Sequence, residues 1–233
     1  MEQMQKIKPW LFDLSKSKAL LVVAHPDDET IFAGGLILLS RETQWTVVCC
    51  TDEGNPTRQN EFLCACEFMA EHSGNSIEPV FLNLLQKNEE NFDHHALIEA
   101  LSPYAKGYDI VVTHNSQGEY GHEHHRLVHS CVIEAIDTSN IWFFISPGSS
   151  NVNPDKLRSK TPNGNASLDL NSDTIRLKAQ AFQECHVSQA MIYGYNPVSS
   201  ELRNTDLKET LLWYFENPGR EEYAFLDKES ANK

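Results

Sequence analysis

At 233 residues, with 40% hydrophobic and 22% charged side chains, the chain has the length and composition of one soluble globular domain. The 19 basic and 33 acidic residues leave a net charge of −14, which repels phosphate backbones and anionic bilayers and so excludes nucleic acid as an expected partner. No apolar run nears the ~20 residues that cross a bilayer, and polar Met1–Trp10 lacks the apolar stretch of a signal peptide, so a cytoplasmic protein with no integral membrane segment is expected.

In chain order, short apolar runs alternate with helical patterns. Ala19–Ala24, Trp45–Thr51, Pro79–Leu85, Asp109–His114 and Ile141–Ile145 are brief, nearly continuous and rich in β-branched or aromatic residues, as strands covered on both faces are. Between them, Thr30–Arg41, Thr57–His72, Ala96–Ala105 and Arg126–Ile136 carry apolar residues at helical spacing, and Asp173–Glu184 reads as a late helix. The alternation predicts an α/β fold: a single-domain, Rossmann-like, mainly parallel sheet flanked by helices, spanning 1–233. The Ser-, Asn-, Pro- and Gly-rich stretch 146–173 interrupts the pattern and is expected to be a long surface loop acting as lid or substrate wall. The 6 cysteines do not have zinc-knuckle spacing and are expected to be reduced, mostly buried thiols.

Ligands of such sheets gather at the carboxyl ends of the strands, and the polar clusters follow those ends. The first is His25-Pro26-Asp27-Asp28-Glu29. An acidic helix start needs one capping side chain, not three carboxylates beside a histidine; a histidine with a carboxylate three residues on is a natural pair of metal ligands. The second runs from Gly118 to Arg126 and holds Glu119, His122, Glu123, His124 and His125, with His129 beyond. A catalytic zinc takes three protein ligands and keeps a position for water; His25, Asp28 and one histidine of this second cluster meet that count. His114 is balanced between a substrate contact and a satisfied loop histidine, and His129 lies four residues after His125, the spacing that an i, i+4 pair would use.

The His-Pro-Asp-Asp-Glu turn resembles the signature of the PIG-L / LmbE-like deacetylases, the family of N-acetylglucosaminyl-phosphatidylinositol de-N-acetylases and of mycothiol- and bacillithiol-pathway deacetylases. Three further stretches resemble the family in the same order: Thr51–Glu61, with Arg58 and Glu61; the His-x-x-His loop, here His122 and His125; and Lys178–Gln189, with His186. The resemblance implies His25, Asp28 and His125 as ligands of Zn2+, with Fe2+ as the alternative ion. It implies Asp27 as general base, and His122 as the group that polarises the carbonyl or stabilises the oxyanion, with protonation of the leaving amine as a further role. Arg58, Glu119 and His186 are expected at the substrate. The loop departs from the family's His-Pro-Asp-His form in carrying Glu123 and His124, and Glu123 is the candidate to replace the missing aspartate as an orienting partner. His124 and His129 are expected to face solvent or to support the ligands.

The implied activity is a metal-dependent hydrolysis that removes an acetyl or other acyl group from the amide nitrogen of an N-acetylated amino sugar or glycoside. An amidohydrolase acting on another small N-acyl metabolite is the alternative, and a non-catalytic sugar-binding protein ranks below both. The expected partner is a small N-acetylated molecule, and a homo-oligomer is compatible with the sequence.

Overall fold

A computed structural model of the chain describes residues 14, 16–51, 54–82, 84, 93–119, 121–138, 140–145, 165–192 and 220–226. The elements are β1 (Lys18–Val23), α1 (Asp28–Leu39), β2 (Gln44–Cys49), α2 (Pro56–Ser73), β3 (Ser76–Phe81), α3 (His94–Leu101), β4 (Ile110–Thr113), α4 (Glu123–Ala135), β5 (Ile141–Ile145), β6 (Asn165–Asp169), α5 (Ser172–Cys185), α6 (Val187–Ile192) and β7 (Arg220–Leu226). Local chemistry sets several of these boundaries. The Asn55 side chain accepts from the amides of Thr57 and Arg58, Pro56 follows it, and Gly74 closes α2 at φ 75, where a side chain would be strained. Asp93 and Asn171 cap α3 and α5 in the same way.

The sheet runs β3-β2-β1-β4-β5-β7-β6. Its first five strands are parallel; β7 runs antiparallel to β5, and β6 antiparallel to β7. Alternate residues of β1 divide the core. Leu21 and Val23 join Ile37 of α1, Phe62 of α2 and Phe182 of α5, whereas Leu20 and Val22 join Leu97 of α3 and Val128 of α4 on the other face. A strand buried on both faces can be apolar throughout, which is why β1, β2, β4 and β5 stand out as nearly continuous runs, whereas the edge strand β3 is half-exposed and starts at Ser76, ahead of the predicted Pro79–Leu85.

The α/β sheet flanked by helices is as expected, with two more strands than the five predicted. Of the loop expected over 146–173, residues 146–164 lie outside the described residues; β6 occupies 165–169, and α5 begins at Ser172. The cysteine expectation also needs correction. Cys49, Cys50, Cys66 and Cys131 are free and buried, but Cys64 of α2 and Cys185 of α5 form a disulfide across 121 residues of sequence. Short-range spacing cannot reveal such a pair, because packing of α2 on α5 creates it. No helix among the described residues is long and apolar enough to cross a membrane.

The antiparallel addition inserts an acid into the core. The Glu221 carboxylate, buried under α1, accepts from the amides of Gly35 (2.7 Å) and Leu36 (2.9 Å), from Lys178 Nζ (2.6 Å) and from the Tyr223 hydroxyl (2.7 Å). A Cβ on Gly35 would stand 2.6 Å from Leu170 Cδ2 and 2.7 Å from Glu221 Oε1. In an open helix Gly→Ala stabilises by ~1 kcal/mol. Here the clash decides the sign, and Gly35→Ala is expected to cost about 1–3 kcal/mol in denaturant unfolding, the range for overpacking. At Gly34 the nearest atom to an added Cβ is the flexible Lys178 Cγ at 3.3 Å, so Gly34→Ala should cost much less.

Candidate active site

Strand order reverses between β1, whose other neighbour is β2, and β4, whose other neighbour is β5. At such a switch point the loops after the two strands diverge and leave a crevice at their carboxyl ends. The first loop carries His25–Asp28, and the second carries His114–His122 and leads into α4. Asp27 turns the chain from β1 into α1 at φ 131, a sparsely populated conformation for a residue with a side chain. The turn is held by its carbonyl, which accepts from Thr30 N (3.0 Å) and Ile31 N (2.9 Å), and by its amide, which donates to Glu29 Oε2 (3.0 Å).

Three atoms converge behind this turn. His25 Nδ1 lies 3.4 Å from Asp28 Oδ2, His125 Nε2 lies 3.4 Å from the same oxygen, and the two nitrogens are 3.3 Å apart. Donors ~2.1 Å from one tetrahedral centre stand about 3.4 Å apart, so the triangle has the dimensions of three ligands on one small divalent cation. The protons agree with that use. His125 Nδ1 donates to Glu119 Oε2 at 2.5 Å, leaving Nε2 with a lone pair. Burial first, then His114, hold its pKa down to about 4, so the ring is neutral as a metal ligand must be. When His25 Nε2 carries the proton and donates to His124 Nδ1 (2.9 Å), its Nδ1 is free as well. The residues present fit a divalent cation.

His114 also lies beside Asp28 and His125 in a metal-capable grouping, but its nitrogens are engaged. Ala24 N donates to Nε2 (2.9 Å), so the proton sits on Nδ1 and goes to Glu119 Oε2 (2.9 Å). A nitrogen already accepting an amide proton has no lone pair left for a cation, so His114 belongs to the support. Glu119, at φ 54 between Gly118 and Gly121, also accepts from Asn115 N (2.9 Å). Burial would push its pKa up; the imidazoles on it, His114 foremost, hold it down to about 2.

Asp27 is braced from two sides. The Arg58 guanidinium donates to Asp27 Oδ2 (3.1 Å), to the Pro26 carbonyl, and to Glu61 Oε2 (2.9 Å); Glu61 in turn accepts from the amide (2.6 Å) and hydroxyl (2.8 Å) of Ser188. On the other side His186 Nε2 bonds Glu29 Oε1 at 2.7 Å. Burial, then the adjacent Asp28, push the Asp27 carboxyl up to about 7 against the pull of Arg58. Such a group can take up and release a proton near neutrality. The half-buried His122 caps α4: its Nδ1 accepts from His124 N (3.2 Å), which puts the ring proton on Nε2. Burial and the neighbouring His125 and His25 hold its pKa down to about 3, and its ring centre lies 4.7 Å from those of both His25 and His125.

The structure thus brings Asp27, His122, His25, Asp28 and His125 together. The three residues expected at the substrate are all buried. Glu119 and His186 are fully buried and hold other side chains, and Arg58, 7% exposed, is spent on Asp27, Pro26 and Glu61. Glu123 is on the surface paired with Arg126 (2.6 Å), so it is not the orienting partner; His124 is buried against His25. His129 Nδ1 lies on the His114 carbonyl (3.0 Å) and not at the ligands. The sequence does hold a signal for Glu119: glycines on either side at Gly118 and Gly121 let the loop fold its carboxylate back under the helix that carries His125.

The profile of the family described as PIG-L, GlcNAc-PI de-N-acetylase, matches residues 20–136. Uncharacterized protein L374 of Acanthamoeba polyphaga mimivirus is 28% identical over 155 residues, covering 60% of this chain and 66% of the relative. The 1D-myo-inositol 2-acetamido-2-deoxy-alpha-D-glucopyranoside deacetylase of Corynebacterium diphtheriae is 29% identical over 178 residues, covering 58% of each chain. The chain therefore spans 58–66% of the length of these curated relatives. Among solved structures, the A40926 pseudoaglycone deacetylase Dbv21 superposes with a TM-score of 0.59 at 12% identity, over 91% of this chain and 97% of that one. The N,N'-diacetylchitobiose deacetylase from Pyrococcus horikoshii does so with a TM-score of 0.56 at 18% identity, over 96% and 90%. At these identities the structural likeness shows the fold.

Proposed function

The chain belongs to the PIG-L family, and from that premise we propose that it is a metal-dependent N-deacetylase acting on an N-acetylated amino sugar or glycoside. The observation that carries the reading is the triangle of His25 Nδ1, Asp28 Oδ2 and His125 Nε2, with sides of 3.3–3.4 Å. Zinc, or ferrous iron in its place, supplies a Lewis acid there and lowers the pKa of water from 15.7 toward ~7.

The remaining steps belong to the chain. Asp27, aimed by Arg58, accepts a proton from the water that attacks the amide carbon. The Nε2 proton of His122 meets the carbonyl oxygen as negative charge grows on it, the role of an oxyanion donor. As the C–N bond breaks, the proton held on Asp27 passes to the leaving nitrogen, so acetate and a free amine leave and the carboxylate is restored. Buried Glu29, His186 and Glu61 keep these groups in place.

The amino-sugar substrate is supported by the activities named for the Corynebacterium relative and the Pyrococcus neighbour. The test is metal content followed by acetate release from a panel of N-acetylglucosaminides, with N-acyl amino acids as a second arm. One divalent ion per chain, with turnover lost on chelation and restored by zinc, is the expected result. Turnover on the amino-acid arm alone would move the substrate to other small N-acyl metabolites. Acetate release indifferent to chelation would remove the metal from the reaction.

A further inference from the structure

The two ligand imidazoles are backed by different chemistry. Behind His125 stands the Glu119 carboxylate, 2.5 Å from Nδ1. Behind His25 stands another imidazole, His124, with its Nδ1 2.9 Å from His25 Nε2. His124 is 3% exposed, on the first turn of α4, and its amide is fixed by His122 Nδ1 at 3.2 Å. The same short turn therefore positions three rings: His122 as cap, His124 behind one ligand, His125 as the other.

We infer that His124 is a positioning residue for the cation: by accepting the Nε2 proton of His25 it fixes that ring in the tautomer whose Nδ1 binds metal. The inference rests on the metal reading given above. Without an acceptor at this place, His25 can put its proton on Nδ1 and offer an N–H where the cation needs a lone pair. Its partner is a neutral ring and not an anion, so it sets the tautomer without adding the negative charge that Glu119 brings to His125. Nothing in residue type alone distinguishes His124 from the flanking histidines; the assignment comes from which nitrogen faces which.

The test is zinc affinity of the purified full chain, by competition with a chromophoric chelator, alongside thermal melting. His124→Phe keeps a ring without an acceptor and should weaken zinc binding about 10–100-fold, the usual cost of losing a ligand's outer partner. His124→Asn offers a side-chain carbonyl near the position of Nδ1 and should bind within a few fold of the parent. A Phe variant that melts like the parent and binds zinc as tightly overturns the inference, and so does an Asn variant as weak as the Phe variant. The parent and His25→Ala are the reference arms. If the parent binds no zinc, or His25→Ala binds as tightly as the parent, the metal reading itself has failed, a result distinct from failure of His124 alone.

Discussion

Asp27→Asn is expected to lower turnover by ~10²–10⁴, the usual contribution of a general base, while leaving zinc content and fold intact. Each half of that expectation has a separate physical source. Asn is among the residues that best tolerate positive φ, so the turn at φ 131 survives the change. Its Oδ1 can still accept from Arg58, which lies 3.1 Å from Asp27 Oδ2. The carboxyl it replaces is buried beside Asp28 and Glu29, so losing its charge removes repulsion and desolvation together. None of the three ligand atoms belongs to Asp27, so the ion should stay. Acetate release, metal analysis and melting on one preparation check all three points. A variant that turns over at the parental rate would remove Asp27 from the chemistry.

The parts of the molecule legible beforehand are those where local pattern and burial agree. β1 and β5 are buried along nearly their whole length, and their apolar runs announce it. β6 and β7 gave no such signal. Asn165–Asp169 contains no β-branched residue, and Arg220–Leu226 opens on Arg-Glu-Glu; pairing with β5 and with each other makes them strands. Glu221 is the sharpest instance, because its burial depends on two helix amides and a lysine from elsewhere in the chain, with Tyr223 beside it on the same strand.

The site divides along the same line. Residue types and family resemblance singled out His25, Asp27, Asp28, His122 and His125, because metal binding and proton transfer each demand a particular kind of side chain. Orientation was not legible. Whether a polar residue faces a substrate or stands behind a ligand depends on loop path, and Arg58, Glu119 and His186, expected at the substrate, are buried and bonded to other side chains. The Cys64–Cys185 pair escaped for the same reason, since it records the contact of α2 with α5 and not any spacing in the chain.

Glu119 gives that distinction a measurable form. A substrate contact could be replaced by Ala with a loss confined to KM. The buried carboxylate seen here serves His114 Nδ1, His125 Nδ1 and Asn115 N, and Glu119→Ala strands all three donors. The expected cost is about 1–3 kcal/mol of stability for each buried donor left without an acceptor. Glu119→Gln is the sharper variant, because it keeps the shape. Every bond to the carboxylate is accepted, on both oxygens, whereas an amide must donate from one of its two ends. If its NH2 faces Asn115 N, two donors collide. If it faces His125, that ring must accept on Nδ1 and carry its proton on Nε2, the atom turned toward Asp28 and His25. Either arrangement opposes the ligand set, so zinc affinity should fall about 10–100-fold with little change in side-chain volume. Chelator competition reads the affinity and urea unfolding the stability. Parental affinity in the Gln variant would mean that the proton on His125 is not set by Glu119, and the ligand triangle would lose the reason it points inward.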